Sequence, residues 1–283
     1  MTLLSINEQT TYQWSFEEDL LHARDAGYDG LGVWLRKLSD FGEERAIELI
    51  EESGLGVSSL SWVGGFTGAD AASAAENIAA ARDAIALAGE LRAGCLVMYT
   101  GGRNGHTLRH SDRLLRTALD ALTPHAEEHG VPLALEPMHP ACSREWTFLT
   151  DLPETLRLIR QYESPGLKLS LDTFHFPLSQ ADDALVRELV PHLAVVHVGD
   201  YVEPRGVDQA RVPLGRGEAP LGSTLELLRE AGYEGYYDVK LLGPEIEATD
   251  YHELLRRSRR ALEDLLTPRP TSTPTENACK ATW

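Results

Sequence analysis

The stretch SDRLLRTALDALTPHAEEHG, residues 111–130, is followed almost at once by PLALEPM, residues 132–138. The first stretch has the apolar spacing of an amphipathic helix and ends at a glycine. The second is a short apolar run, which is typical of a buried strand. A helix that leads directly into a buried strand is the repeating unit of parallel α/β folds, and the rest of the chain repeats it.

Short apolar runs and longer helical patterns alternate along the chain. We predict strands at residues 3–7, 31–35, 56–64, 95–101, 132–138, 167–175, 193–200 and 236–242. We predict helices at residues 15–27, 43–54, 71–94, 111–130, 151–162, 183–190, 222–232 and 251–266. Strict alternation at this spacing predicts parallel strands joined by right-handed crossovers, and the number of units predicts a closed (β/α)₈ TIM barrel.

The structural alternative is an open, doubly wound sheet. Such a sheet usually carries a glycine-rich phosphate loop after its first strand, and SINEQTTYQW at that position is not one. We therefore predict one barrel domain over residues 1–266. The proline- and threonine-rich remainder, residues 267–283, is predicted to be a short disordered tail.

Composition narrows the class of partner. The 283 residues include 26 Lys and Arg against 44 Asp and Glu, a formal net charge of −18. Such a surface repels nucleic acid and anionic lipid, so we expect neither as a partner. We see no apolar run near the roughly 18 residues that a membrane span needs. The sequence leaves a homo-oligomer open.

Cysteine usage and the first residues bear on location. The three cysteines are sparse and have no metal-binding or disulfide-framework spacing, which favours a reduced, cytoplasmic protein. The stretch MTLLSINEQTTYQW lacks a basic segment followed by an apolar run, so we expect no signal peptide.

Polar side chains stand at the predicted ends of four successive strands. They are Glu136 and His139, Asp172 and His175, His197 and Asp200, and Asp238 and Lys240. In a parallel barrel the carboxyl ends of the strands surround one site. Glu, Asp and His from adjacent strands offer mixed oxygen and nitrogen ligands, which suit one divalent ion such as Mn²⁺, Co²⁺, Mg²⁺ or Zn²⁺. The alternative is that each is an ordinary hydrogen-bonded polar group at a strand end.

Five stretches together resemble one family: LALEPMHP, LSLDTFHF, VVHVGDY, RVPLGRGEAPL and GYEGYYDVKLLG. They are similar to the xylose isomerase-like sugar phosphate isomerase/epimerase superfamily, over about residues 10–265. Its members include sugar epimerases, hydroxypyruvate isomerases, dehydratases, C-glycoside deglycosidase subunits and endonuclease IV. The resemblance implies that Glu136, Asp172 and His197 are metal ligands, and that His175 and Arg211 bind substrate oxygens.

Lys240 departs from the family pattern. The family resembles YDVEI at this strand, where the glutamate is a fourth metal ligand, whereas this chain has YDVKL. A protonated ammonium cannot ligate a metal, and at about 5 Å a divalent ion would repel it by roughly 6–7 kcal/mol. Three alternatives follow. Lys240 is a neutral base with a depressed pKa, or it turns away to pair with Asp238 or Asp200, or the metal is lost.

The resemblance implies a metal-dependent enzyme of carbohydrate metabolism, an isomerase, epimerase or lyase that abstracts a proton next to the carbonyl of a sugar-like compound. We expect Glu136, Lys240 and His175 as catalytic residues. We expect His175, Arg211, His139, Trp34 and Trp62 around the substrate, although plain packing explains the tryptophans equally well. The alternative function is a non-catalytic or partner subunit with a degenerate metal site. A nuclease needs a basic surface, which the net charge of −18 argues against.

Overall fold

The protein folds as a closed barrel of parallel strands surrounded by helices. The structure, a computed structural model, describes residues 2–68, 72–179 and 181–267. Each strand pairs with the next in the sequence, and the eighth pairs with the first. The predicted (β/α)₈ barrel is therefore confirmed, and the open-sheet alternative is excluded. The proposed tail lies outside the described residues apart from its first position.

The elements are numbered in chain order. The strands are β1 Leu3–Asn7, β2 Gly30–Trp34, β3 Gly56–Gly64, β4 Leu96–Tyr99, β5 Leu133–Leu135, β6 Leu167–Asp172, β7 Leu193–Val198 and β8 Tyr236–Val239. The helices are α1 Phe16–Asp25, α2 Leu35–Phe41, α3 Glu43–Ser53, α4 Ala74–Glu90, α5 Leu108–His129, α6 Leu152–Gln161, α7 Asp183–Leu189, α8 Leu221–Glu230, α9 Pro244–Glu247 and α10 Tyr251–Leu266. Two short 3₁₀ helices are Pro140–Arg144 and Val190–His192.

Local capping chemistry fixes several helix ends. The Ser15 hydroxyl accepts the backbone N–H of Glu18, and the Glu18 carboxylate accepts the backbone N–H of Ser15, so α1 begins with a capping box. At the end of α3, Gly54 adopts a φ of +75°, a left-handed conformation that glycine tolerates without strain. These signals lie within a few residues of each other, which is why they can be read from the sequence.

Some boundaries differ from the prediction. Helices α2 and α9 were not predicted, and α5 begins three residues early because Thr107 caps it. Strands β5 and β8 end sooner than predicted, at Leu135 and Val239. Ladder pairing nevertheless continues one residue further, because the N–H of Glu136 donates to Met98 and that of Lys240 donates to Val198. Both side chains are thus fixed at the strand ends.

The apolar core lies between the strands and the helices, and the barrel interior carries a polar layer. Asp238 accepts hydrogen bonds from Ser5 and Asn7 inside the barrel, both at 2.8 Å. A Cβ at Gly32 would lie 2.6 Å from Asp238 Oδ2, so this strand position has room only for glycine. Among the described helices, none is long and apolar enough to cross a membrane.

Candidate active site

The predicted site residues converge at the carboxyl ends of four adjacent strands. Asp172 pairs in register with His197, and His197 pairs with Asp238. Glu136 and Lys240 each follow the last residue of their strands. Reactive donor atoms of Glu136, Asp172 and His197 lie within 4.8 Å of one another, and all three side chains are fully buried. The barrel thus brings the expected ligand set together.

The Lys240 ammonium lies among these donor atoms. Its Nζ is 2.9 Å from Glu136 Oε1 and 3.5 Å from Asp172 Oδ2. It is also 3.4 Å from His197 Nδ1, and it donates to the hydroxyl of Tyr99 at 3.1 Å. The ammonium therefore pairs with Glu136 and Asp172, unlike the alternative in which Lys240 turns toward another carboxylate.

The two other carboxylates that the sequence offered to Lys240 have different partners. Asp200 accepts the backbone N–H groups of residues 201, 215, 217 and 219, and so organises the loop that follows β7. Asp238 is held by the polar side chains of β1, and its Oδ2 lies 3.6 Å from His197 Nε2. Both therefore support the site without reaching the ammonium.

Every oxygen of the Glu136 carboxylate is engaged. Oε1 accepts from Lys240, while Oε2 accepts from the Ser170 hydroxyl at 2.7 Å and lies 2.8 Å from His197 Nδ1. Ser170 follows the alternation of β6 and points to the same side as Asp172. A fully buried carboxylate requires such partners, because burial without them costs several kcal/mol.

Arg211 binds Asp172 through both of its terminal nitrogens. The Nη1–Oδ1 distance is 3.1 Å and the Nη2–Oδ2 distance is 2.8 Å, a bidentate pair. Nη1 also donates to the carbonyl oxygen of Lys240 at 2.9 Å, and the guanidinium lies over the ring of Phe174. The predicted substrate ligand is thus held on a protein carboxylate, with 1% of its surface exposed.

These pairs hold Glu136, Asp172 and Lys240 in their charged forms. Burial raises the pKa of Glu136, but Lys240 and His197 outweigh it and hold the pKa well below its ordinary value. Burial likewise raises the pKa of Asp172, yet Arg211 and Lys240 hold it far below the ordinary range. For Lys240, burial lowers the pKa and the carboxylate of Glu136 outweighs it, so the pKa lies well above the ordinary value. The geometry thus differs from the alternative of a neutral lysine.

His139 and His175 form a second polar cluster beside the ion pairs. Their Nδ1 atoms lie 2.8 Å apart, and Cys142 Sγ lies 3.8 Å from the Nδ1 of His139. His175 Nε2 is 3.2 Å from the side-chain oxygen of Gln209, which can only accept, so the His175 proton is on Nε2. Burial lowers the pKa of His175 to about 3 and also lowers that of His139, so both rings are neutral.

An aromatic group lies beside the ammonium, with the centroid of the Tyr99 ring 5.8 Å from Lys240 Nζ. The ring of Trp62 lies 5.3 Å from that of Tyr99 and 5.8 Å from that of Trp146. Trp62 is 37% exposed, whereas Tyr99 is buried. Trp34 lies at the end of β2, where its backbone N–H donates to Glu8. Trp62 therefore belongs to the aromatic group next to the site, whereas Trp34 makes the backbone hydrogen bond to Glu8.

Comparisons with known proteins agree with this architecture. Residues 20–265 match the model of the xylose isomerase-like TIM barrel family, so the chain belongs to that family. It is 27% identical to the L-ribulose 3-epimerase of Mesorhizobium japonicum over 229 residues, 78% of this chain and 73% of that protein. It is also 27% identical to the inosose isomerase of Halalkalibacterium halodurans over 146 residues, half of each chain.

A solved structure of IOLI protein with a bound zinc atom superimposes with a TM-score of 0.81. It is 20% identical, and the match covers 94% of this chain and 98% of the other. At this identity the likeness shows the shared fold. The zinc belongs to that protein, and whether the residues of this chain suit an ion has to be tested on their own geometry.

The donor set alone suits a divalent ion, because its carboxylate and imidazole atoms lie within 4.8 Å of one another. Its surroundings do not. A divalent ion sits about 2.0–2.2 Å from carboxylate oxygen or imidazole nitrogen, in the space that the Lys240 ammonium takes up here. Arg211 already engages both oxygens of Asp172. In the arrangement that the structure shows, Glu136, Asp172 and His197 do not fit a divalent ion.

Three members of the site were not predicted as such. Tyr99 ends β4, Ser170 lies within β6, and Gln209 lies in the loop before Arg211. Tyr99 ends a strand at the same mouth as Glu136, which is a signal that the sequence did carry. Gln209 belongs to an irregular loop, and its contact with His175 depends on how that loop folds back over the barrel.

Proposed function

We propose that this protein is an isomerase or epimerase that moves a proton next to the carbonyl of a sugar-like, polyhydroxylated compound. The observation that carries the proposal is the buried set of Glu136, Lys240, Asp172 and Arg211 at the carboxyl end of the barrel. Two carboxylates and two cations within hydrogen-bonding distance provide a base, a proton donor and charge stabilisation in one place. The named isomerase and epimerase relatives support this reaction class.

In the proposed reaction, Glu136 takes the proton from the carbon next to the carbonyl. The electron pair moves to the carbonyl oxygen, giving an enediolate whose charge the ammonium of Lys240 and the hydroxyl of Tyr99 stabilise by hydrogen bonds. Return of the proton to the neighbouring carbon, with transfer of the hydroxyl proton to the former carbonyl oxygen, gives an isomer. Delivery of a proton to the original carbon from the opposite face, by a donor other than Glu136, gives an epimer. Elimination begins with the same proton abstraction, so lyase chemistry is a neighbouring outcome.

The neutral rings of His139 and His175 suit substrate hydroxyl groups, provided that a hydroxyl replaces a present partner of His175, which is His139 or Gln209. The exposed face of Trp62 offers a surface for the apolar side of a sugar ring. Because Glu136 and Lys240 are at most 1% exposed, the substrate has to displace some of the side chains above them. Cys95 and Cys142 are buried free thiols, which suits the proposed cytoplasmic location.

A second candidate is a non-catalytic barrel, and the closed network favours it specifically. The ion pairs satisfy one another, and none of the four charged side chains is more than 1% exposed. Such a network can serve as a polar core that fixes the strand ends without reacting.

Solvent exchange separates the two candidates. Ketoses, inososes and 3-keto-glycosides are incubated with the protein in D₂O, with and without Mn²⁺, Co²⁺ or Mg²⁺, and followed by proton NMR. Deuterium uptake at the carbon next to the carbonyl, lost in Glu136→Gln, supports the isomerase. If wild-type protein exchanges no proton of any of these compounds in any condition, the non-catalytic candidate stands and the proposed reaction fails.

A further inference from the structure

The Lys240 ammonium occupies the centre of the ligand set. Three donor atoms surround Nζ: Glu136 Oε1 at 2.9 Å, His197 Nδ1 at 3.4 Å and Asp172 Oδ2 at 3.5 Å. These are the side chains that together could hold a metal ion. A lysine ammonium and a metal ion cannot share this space, because the donor atoms are the same.

The four side chains that pair directly with one another balance in charge, while the nearby carboxylate of Asp238 is held separately by Ser5 and Asn7. Glu136 and Asp172 contribute two negative charges, and Lys240 and Arg211 contribute two positive charges, all on side chains at most 1% exposed. A divalent ion added to this set would leave two uncompensated positive charges in a volume that excludes water, which is strongly unfavourable. With a glutamate at position 240, the set would hold three carboxylates and one guanidinium, and a divalent ion would then bring its total charge to zero.

We propose that the ammonium of Lys240 replaces the divalent ion in this chain, so that Glu136, Asp172 and His197 hold a lysine side chain instead of a metal. The ammonium is a fixed cation, brought by β8 to the position where positive charge is needed. Within the proposed function, it is also the group that stabilises the enediolate. Unlike an ion, it can give a proton to the substrate oxygen and take it back.

The fold supports this role at three points. The backbone N–H of Lys240 bonds to Val198 and its carbonyl accepts from Arg211, so both peptide groups around the residue are fixed. The Tyr99 hydroxyl accepts a further ammonium hydrogen. Ser170 and His197 hold Glu136 in place. Hydrogen bonds therefore hold the backbone of Lys240, its ammonium and its main partner Glu136.

The test is the metal content of tag-free, full-length protein after incubation with Mn²⁺, Co²⁺ or Zn²⁺ and gel filtration. We expect wild-type protein to retain less than about 0.1 ion per chain at this site and to show no rise in melting temperature with the ions. Lys240→Glu should gain about one ion per chain and a metal-dependent rise in melting temperature, because it supplies a ligand and removes the cation. Lys168→Glu, at a partly exposed lysine of β6, is the matched control and should gain none.

Three further variants locate any bound ion. An ion gained by Lys240→Glu should disappear in Glu136→Gln/Lys240→Glu. Wild-type protein could instead bind an ion that is lost in Cys142→Ser and kept in Glu136→Gln. Such an ion lies at His139, Cys142 and His175, and it supports the inference because Glu136 then holds none. If Lys240→Glu does not fold, Lys240→Gln removes the charge with a polar side chain one atom shorter, and this variant should still bind an ion more tightly than wild type.

One result overturns the inference: wild-type protein that retains about one ion per chain and loses it in Glu136→Gln. The inference and the proposed function fail in different ways. If wild-type protein binds no metal and exchanges no substrate proton, the proposed role of the ammonium is supported and the proposed reaction is ruled out. Exchange that requires an added ion, when Glu136→Gln abolishes the binding of that ion, supports the proposed reaction and rules out the proposed role of the ammonium.

Discussion

The Lys240 ammonium lies 2.9 Å from Glu136 Oε1, and neither side chain is more than 1% exposed. A pair of opposite charges at this depth stabilises the fold only as long as both members are present, because either one alone is a buried charge without a partner. The same pair joins the ends of β5 and β8, which are 104 residues apart in the sequence. Its removal should therefore affect stability as well as chemistry.

The first prediction concerns this pair. Lys240→Met should lower the free energy of unfolding by about 3 kcal/mol, since it leaves the Glu136 carboxylate buried beside Asp172. Adding Glu136→Gln should restore part of the loss, because the uncompensated charge is removed. Urea unfolding of the single and double variants measures both effects, with Lys168→Met as the control. Equal stability of Lys240→Met and wild type would contradict the buried pair.

The second prediction is a pH dependence. The pKa values of Glu136 and Asp172 are held below their ordinary values of 4.5 and 3.8, so each carboxylate contributes stability that is fully present above the ordinary value. This contribution is lost as the pH falls from about 4.5 through the depressed values, because the folded state then has to take up protons. The free energy of unfolding, measured at several pH values between pH 7 and pH 3, should fall less steeply for Glu136→Gln/Lys240→Met than for wild type. Parallel curves would count against the depressed values.

The third prediction concerns the space for Arg211. A Cβ at Gly199 would lie 2.4 Å from Arg211 Nη1 and 3.0 Å from the carbonyl oxygen of Lys240. Gly199→Ala should therefore displace the guanidinium from Asp172 and cost about 2 kcal/mol of stability. Gly166→Ala is a suitable control, because its Cβ would have only ordinary contacts, at 3.6 Å. If the two variants unfold at the same urea concentration, the bidentate pair contributes little.

The sequence predicted the fold well because the signals are local. Ser15 with Glu18, and Gly54 after α3, mark helix ends within a few residues, and the alternation of strand and helix implies the barrel. Helix α2 escaped prediction since it is short and follows β2 without a linker, and the N-cap residue Trp34 provides no side-chain cap.

The site could be predicted as a list of residues but not as an arrangement. Glu136, Asp172 and His197 were placed by the rule that strand ends meet at the barrel mouth. The position of the Lys240 ammonium depends on a flexible four-carbon side chain and on Tyr99, which is 141 residues away. Pairings of this kind are decided by burial and charge balance in three dimensions, for which one sequence has no local signal.

The last prediction concerns Trp62, the exposed member of the aromatic group beside Lys240. If a sugar ring packs on it, Trp62→Ala should raise KM by up to about tenfold and change kcat much less, because a stacking contact of about 0.5–1.5 kcal/mol is made in both ground state and transition state. Trp62→Phe should keep part of the effect.

The comparison variant is Leu21→Ala, which removes an apolar side chain of α1 that is 45% exposed and should leave KM unchanged. Initial rates over a range of substrate concentrations measure both constants once the exchange screen has identified a substrate. Melting temperatures are recorded in parallel, because Trp62 also packs on Tyr99 and Trp146. A lower melting temperature with an unchanged KM would mean that Trp62 supports these two rings and does not contact the substrate.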